Sequence, residues 1–300
     1  MDTSTLSVPQ ITPEELAARM GRADAPLLLD VRREGKFAES PRMLASARRC
    51  APEDVAALAA AGPAREVVVY CVYGHNVSAD AAALLRAAGW DARALAGGIG
   101  GGEDGVDSME NIVRWRVTPL PTMRKRADWG VTGERASRWI TRERPKIDRI
   151  ACPWLIRRFI DPRAEFFYVP TAQVFSEAAR LKAVAYDLPG APVTHEGEWC
   201  SFDGLLRAFE IEDPAVDHLA RVVRGADTGR LALEPQCAGL LAFSLGLSAL
   251  HRDDHSMLEA AMPLYDALYA WCASEAQAVW QGKSPEGHNW KPETLTGARA

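Results

Sequence analysis

The fold is decided by the stretch Val67-Val68-Val69-Tyr70-Cys71-Val72-Tyr73-Gly74-His75-Asn76-Val77-Ser78. Its first half is apolar and β-branched, which is typical of a parallel strand covered on both faces. Residues 78–88 are rich in alanine and leucine and predict a helix that ends at Gly89. A strand, a short glycine-containing loop and a helix in this order indicate an α/β unit.

Elements of the same kind lie on both sides of this stretch. Residues 27–31 and 92–95 predict two further strands. Thr12-Pro13-Glu14-Glu15 predicts the start of a helix with a capping box, in which the threonine hydroxyl accepts from the glutamate amide and the glutamate carboxylate accepts from the threonine amide. Residues 97–105 are dominated by glycine and predict a domain edge. We therefore expect an α/β fold with an N-terminal parallel sheet and flanking helices.

Cys71 follows the decisive strand, at the carboxyl end where α/β sheets bind ligands. The next helix contributes its positive N-terminal end. These dipoles favour a thiolate, a persulfide anion or a bound oxyanion. The sequence predicts Cys71 as a nucleophile, with a chemically inert cysteine at a buried strand end as the alternative. The loop that would surround it consists of Val72, Tyr73, Gly74, His75, Asn76 and Val77.

Residues 11–98 resemble a rhodanese domain. The segments "ITPEELAARM", "LLLDVR", "YCVYGHNVS" and "LAGG" follow the order and spacing of that family. The resemblance implies that Cys71 forms a persulfide and that the backbone of residues 72–77 makes its cradle. It also implies that Asp30 and Arg32 hold the neighbouring strand and loop. The loop length matches the sulfur-transfer branch of the family.

Three departures from the rhodanese pattern affect which sulfur donor the domain could use. Asn76 and Val77 stand where the family often has a basic residue. Residues 43–47 replace the usual "GHIPGA" segment, and Ile99 follows the glycine pair where an aromatic residue is common. Without a guanidinium fork, oxyanion binding would depend on the weaker dipoles of the loop amides, with His75 as a possible further donor. Thiosulfate could then be a poor donor, or the domain could only carry or sense sulfur. We expect His75 to be an exposed loop residue rather than a catalytic base.

The second half of the chain has a different pattern. The segment "WITRERPKIDRIACPWLIRRFID", residues 139–161, is similar to the start of the C-terminal domain of chromate-resistance proteins, and the similarity extends to about residue 275. The pattern is mainly helical after residue 150, with short strands at 166–169 and 184–186, so we expect a mainly helical α+β domain. The predicted organisation is a rhodanese-like domain at 8–105, a basic linker at 106–136, a chromate-resistance-type domain at 137–280 and a flexible tail at 281–300.

Metal-capable side chains occur in this second domain without a known ligand spacing. We name His195, Asp227 and Glu234 as candidate ligands, and a transition metal (Fe, Mn or Zn) could be bound there. The alternative for His195 is a hydrogen-bonded polar residue at a strand end. Asp148 and Asp161 are equally consistent with structural pairs to nearby arginines. No cofactor is certain.

Composition limits the functional classes. The net charge is −5, which argues against nucleic acid as a partner. The chain has no apolar run of about 18 residues and no signal-peptide pattern, so we expect a cytoplasmic protein without membrane association. The six cysteines include no CxxC pair, which argues against a zinc ribbon or a thioredoxin-type motif. The oligomeric state stays open.

The leading hypothesis is a sulfurtransferase with a Cys71 persulfide, fused to a chromate-resistance domain and acting in oxyanion or thiol detoxification. Its partners would be a small sulfur donor or oxyanion and a thiol or protein sulfur acceptor. Two alternatives remain. One is a non-catalytic oxyanion-binding or sensory protein, and the other is a metal-dependent chromate-handling enzyme.

Overall fold

The structure is a computed structural model that describes residues 8–280, so the predicted tail at 281–300 lies outside the described residues. The chain divides into two compact units. The first holds the chain up to Ala136 together with Arg158–Pro162. The second holds Ser137–Arg157 and the chain from Arg163 onward.

The first unit is built on a five-stranded sheet in which every neighbouring pair is parallel. From edge to edge the strand order is β1-β6-β5-β2-β4. The central strand buries Val67, Val68 and Val69 completely, as expected for a strand covered on both faces. The strands of this unit are β1 (Gln10–Ile11), β2 (Leu27–Asp30), β3 (Arg42–Leu44), β4 (Arg48–Arg49), β5 (Glu66–Tyr70), β6 (Asp91–Leu95) and β7 (Thr122–Arg124).

Helices flank this sheet, which confirms the predicted α/β class. Thr12 caps the first helix through the predicted capping box with Glu15. Val55, Ala82 and Leu85 belong to a core cluster that also contains the sheet residues Val67 and Val69. The helices are α1 (Pro13–Ala17), α2 (Glu34–Glu39), α3 (Val55–Ala61), α4 (Asn76–Ala87) and α5 (Met109–Arg116).

Residues 106–136, predicted as a basic linker, form part of the first unit. They contain α5 and β7, and β7 pairs antiparallel with β3 so that Met123 lies opposite Met43. Both methionines are fully buried, and Ile112 of α5 is buried as well. The scattered arginines and lysines of this segment suggested a solvated connection, but the apolar residues between them enter the core.

The second unit is mainly helical, as predicted, with a small parallel sheet in the order β10-β8-β9. Its strands are β8 (Arg138–Arg142), β9 (Glu165–Val169) and β10 (Val184–Ala185). Its helices are α6 (Asp148–Leu155), α7 (Val174–Leu181), α8 (Ser201–Phe209), α9 (Pro214–Asp227), α10 (Cys237–Leu250) and α11 (Asp254–Trp280).

The helical pattern expected after residue 150 corresponds first to α6, which is followed by a π-helical turn over Ile156–Ile160. Trp154 on this helix is fully buried and its ring packs against Tyr265 and Tyr269 of α11. Trp154 therefore contributes to packing. Among the described helices, none combines the length and apolar character needed to cross a membrane.

Candidate functional site

Cys71 directly follows β5, and the loop after it ends where α4 begins at Asn76. The cysteine is 6% exposed and takes part in lining an open cleft of about 420 Å³. The Sγ atom lies 3.2 Å from the Oγ atom of Ser78, and either atom can donate this hydrogen bond. Ser78 also donates to the carbonyl oxygen of His75. The thiol is therefore held in place at a surface that a small molecule can reach.

The loop around Cys71 keeps its amides free of backbone partners. Across residues 8–280, the backbone N–H groups of Val72, Tyr73, Gly74 and His75 donate to no backbone carbonyl. The amides of Asn76 and Val77, the first two of α4, have no backbone acceptor in the described part of the chain either, since the start of a helix leaves its N–H groups without partners in the helix. Unpaired amides and the positive helix end both stabilise an anion. The loop can therefore receive a thiolate, a persulfide or an oxyanion.

Three glycines, Gly74 in the loop and Gly97 and Gly98 behind it, lie in close backbone contact and are called the glycine layer. Gly74 has φ +79°, and a Cβ atom on it would lie 2.7 Å from the backbone nitrogens of both Gly97 and Gly98. Ile99 donates its N–H to the carbonyl of Cys71 at 3.1 Å. The segment 97–105, predicted as a domain edge, is thus packed inside the first unit. Glycine is needed there for close backbone approach.

Asp30 and Arg32 form a buried ion pair at the end of β2. The Arg32 Nη2 atom lies 2.6 Å from Asp30 Oδ2 and also donates to the carbonyl of Arg42. The Tyr70 hydroxyl donates to the same carboxylate at 3.0 Å, and burial raises the pKa of this phenol well above its ordinary value. The Leu44 amide in turn donates to the Tyr70 hydroxyl. This network joins β2, β3 and β5 close to the cysteine loop.

His75 is partly exposed and lies between two carboxylates. Its Nε2 atom is 3.0 Å from Asp107 Oδ2, and its Nδ1 atom is 3.5 Å from Glu103 Oε2. The amide of Glu103 and the His75 ring both lower the pKa of Asp107. With carboxylates near both nitrogens, His75 ties the loop to residues 103–107.

Cationic side chains enter the cleft from α2 and the residue before it. Arg33 and Lys36 line the cleft together with the loop, and Lys36 also contacts Glu39 at 2.9 Å. Sequence reasoning looked for a cation only inside the loop and missed these two. Their position in the sequence could have indicated this role. Both residues follow the "LLLDVR" strand, and the carboxyl end of that strand lies beside the carboxyl end of β5.

A second cluster of titratable groups lies in the second unit. The Nε2 atom of His195 is 3.1 Å from Asp227 Oδ2, 3.3 Å from Asp148 Oδ2 and 3.4 Å from Asp187 Oδ1. Asp148 is the first residue of α6, Asp227 is the last residue of α9, and Asp187 follows shortly after β10. The side chains of the three aspartates are largely or fully buried, whereas that of His195 is 40% exposed.

The close approach of these groups shifts their pKa values. The hydrogen bond to Asp148, with the charges of Asp148, Asp227 and Asp187, raises the pKa of His195 to about 9. Burial and the charge of Asp148 raise the pKa of Asp227 to about 7. Burial also raises the pKa of Asp187, although Arg142 and Arg149 lie 2.8 Å and 3.1 Å from its carboxylate.

The structure brings together two of the three candidate metal ligands, His195 and Asp227, and adds Asp148. Glu234 lies outside the group, because its carboxylate accepts from Arg221 Nε at 2.6 Å and lies 3.8 Å from His218. Arg149, which is next to Asp148 in the sequence, pairs with Asp187. The positions of Asp148 and Asp187 in the sequence could have indicated this site, because Asp148 is the first residue of a helix and Asp187 follows a strand.

Comparisons with known proteins match two successive segments of the chain. The family model for the rhodanese-like domain matches residues 12–103, and that for the C-terminal domain of ChrB matches residues 139–272. Protein ChrB of Cupriavidus metallidurans is 32% identical over 137 residues, which are 45% of this chain and 41% of that protein. The chain thus spans about two fifths of the length of this relative.

A rhodanese homologue from Thermus thermophilus is similar among solved structures. It shares 30% sequence identity, with 30% of this chain and 95% of that chain covered and a TM-score of 0.25. The two family matches follow one another along the chain without overlap. The chain therefore contains a rhodanese-like domain at residues 12–103 and a ChrB C-terminal domain at residues 139–272.

Proposed function

We propose that the first unit is a sulfurtransferase in which Cys71 carries sulfur, as a persulfide, from a small donor to a thiol acceptor. One observation supports this most directly: Cys71 lines an open cleft that also contains an unpaired-amide loop and the cations Arg33 and Lys36. A cation-bordered cleft suits a donor that is itself an anion, such as thiosulfate.

In the first half-reaction the Cys71 thiolate attacks the outer sulfur of thiosulfate. A new S–S bond forms at Cys71, the S–S bond of thiosulfate breaks, and sulfite leaves with the electron pair. The persulfide that remains carries one negative charge. The loop amides and the N-terminal end of α4 can stabilise that charge without any movement of a side chain.

In the second half-reaction an acceptor thiolate attacks the outer sulfur of the persulfide. The acceptor becomes a persulfide, and the Cys71 thiolate is released in its starting state. No external oxidant or reductant is consumed. A cytoplasmic location would supply thiol acceptors, and the attached ChrB domain suggests a role in oxyanion or thiol detoxification linked to chromate resistance.

The proposal is tested by intact-mass spectrometry of the full chain after incubation with thiosulfate. We expect an adduct of about 32 Da that disappears when a thiol or cyanide is added. Cys71→Ser should remove both the adduct and turnover. Cys50→Ser is the matched control, because Cys50 is also buried in the same unit and burial raises its pKa. It should keep both.

Two results would contradict the proposal. An adduct that survives in Cys71→Ser would place the sulfur on another cysteine. A wild-type chain that binds thiosulfate or sulfite reversibly, but forms no adduct and releases no sulfite, would favour the non-catalytic oxyanion-binding alternative.

A further inference from the structure

One ring nitrogen in the second unit lies close to three carboxylates. The distances from His195 Nε2 to the nearest oxygens of Asp227, Asp148 and Asp187 are 3.1, 3.3 and 3.4 Å. A ring nitrogen carries at most one hydrogen atom. That hydrogen can serve one carboxylate well, so hydrogen bonding alone does not explain why three converge on the same atom.

The spacing fits the ligand shell of a small metal ion. Nitrogen and oxygen ligands lie about 2.1 Å from zinc and similar ions. Neighbouring ligands are then about 3.0 Å apart in an octahedral shell and about 3.4 Å apart in a tetrahedral one. The three distances measured from His195 fall in or next to this range. Ligand atoms of Asp148, His195 and Asp227 all lie within 4.8 Å of one another.

Asp187 has a different role from the other two aspartates. Its carboxylate lies 2.8 Å from Arg142 and 3.1 Å from Arg149, and it accepts a hydrogen bond from the Ser201 hydroxyl at 3.0 Å. Two arginines already balance its charge. It is therefore suited to support the site from outside, while Asp148, His195 and Asp227 supply the ligand atoms.

The carboxylate of Asp148 is held by a hydrogen bond from outside the ligand group, as metal ligands usually are. The Ser201 amide donates to Asp148 Oδ2 at 3.1 Å, which fixes that carboxylate at the start of α6. His195 is 40% exposed, so an ion and a further small ligand can reach the site from solvent. One imidazole and two carboxylates form a donor set that suits Mn²⁺, Fe²⁺ or Zn²⁺.

We propose that Asp148, His195 and Asp227 bind one divalent transition-metal ion, with at least one coordination position left for water or a small anion. The site lies in the ChrB domain, and it does not depend on the sulfurtransferase proposal. The rival explanation is a cluster of ion pairs that binds no metal.

Mn²⁺ alone is the best probe, because it prefers oxygen and nitrogen ligands and is not held by the six cysteines. The full chain is treated with a chelator, returned to metal-free buffer and titrated with Mn²⁺, while electron paramagnetic resonance measures the free ion. We expect about one bound ion per chain. His195→Gln and Asp227→Asn should each weaken binding by about tenfold or more.

Glu234→Gln is the matched control, since this acidic residue lies in the same unit but outside the group, and it should bind Mn²⁺ like the wild type. Cys71→Ser should also bind normally, which separates this proposal from the previous one. Because a variant could fail to fold, the unfolding temperature of the wild type is measured as well, and it should rise with Mn²⁺ concentration. No Mn²⁺ binding by the wild type, or an equal loss in Glu234→Gln, would overturn the proposal.

Discussion

At the residue scale, the positive charge near Cys71 comes from side chains outside its own loop. Arg33 and Lys36 are exposed and line the same cleft as the thiol. Arg32, although it also borders the cleft, is buried and held by Asp30. Arg33 and Lys36, the latter in an exposed pair with Glu39, can therefore attract an anionic donor, whereas the buried Arg32 stabilises the scaffold.

We predict that replacing both Arg33 and Lys36 by glutamine raises the KM for thiosulfate roughly two- to twentyfold, with a much smaller change in kcat. Exposed charges contribute about 0.2–1 kcal/mol each, and they assist the approach of the donor more than the bond exchange. The effect should shrink as salt is added, because exposed charges are screened. Steady-state kinetics at low and high ionic strength measures both.

Arg22→Gln is the control for this experiment. Arg22 is an exposed arginine of the same unit that pairs with Asp24 and does not line the cleft. An equal rise in KM for this variant would show that net charge, not position, attracts the donor. A double variant with unchanged KM would show that the loop amides bind the donor without help.

The sequence could predict the place of some site residues but not of others. Cys71 was predictable as a cleft residue, because its place after an apolar run is a local feature. Asp148 was not, because it is far along the chain from both His195 and Asp227, and only the packing of α6 beside the end of α9 brings the three together. Glu234 looked equivalent to Asp227 in the sequence, but Arg221 holds it elsewhere.

At the scale of elements, the glycine layer joins the loop after β5 to the segment after β6. Gly74 and Gly98 approach so closely that a Cβ on Gly98 would lie 2.5 Å from the Gly74 nitrogen. Gly100 donates its N–H to the carbonyl of Val72 at 2.7 Å. The shape of the cysteine loop is thus fixed by main-chain contacts with the neighbouring segment.

We predict that Gly74→Ala destabilises the protein by about 3 kcal/mol or more, since it adds a steric clash to an unfavourable positive φ. Gly89→Ala is the matched control. Gly89 has φ +87°, but a Cβ atom there would meet no atom within 4 Å. It should cost only about 1 kcal/mol. Urea unfolding of both variants measures the difference, and equal losses would contradict the close packing of the glycine layer.

The sequence predicted elements well where one pattern dominated. The apolar strand β5 and the alanine-rich helix α4 appear close to their expected positions. Residues 106–136 were harder to predict, because their weak local preference for helix or strand was interpreted as a linker. Pairing of β7 with the distant β3 decides the structure there, and no local pattern contains that information.

At the scale of the whole molecule, the chain passes between the two units more than once. The first unit includes Arg158–Pro162, although the chain from Ser137 to Arg157 belongs to the second. Within the first unit, Ser46 donates its amide to the carbonyl of Phe159 at 2.8 Å, and the Phe159 side chain is fully buried. The ends of the two family matches therefore do not coincide with the ends of the two compact units.

We predict that a fragment of residues 1–136 is less stable than the same residues in the full chain, because it lacks the buried Phe159 and Ile160. Each fully buried apolar side chain contributes roughly 2–3 kcal/mol. Hydrogen exchange of the β5 amides compares the fragment with the intact protein, and exchange should be faster in the fragment. Phe159→Ala in the full chain should change exchange in the same direction. Equal protection in fragment and full chain would show that the segment 158–162 is dispensable.

The closest contacts behind Gly74 in the Cys71 loop are main-chain atoms of residues 95–98, and this limits how such a protein can evolve. Close backbone contacts leave little room there for a larger side chain. Changes of donor or acceptor must arise on the opposite side, from Tyr73, His75 and Asn76 on the loop and from Arg33 and Lys36 across the cleft. Directed evolution of this domain toward new sulfur compounds should accordingly concentrate its library on those five positions and keep the glycines constant.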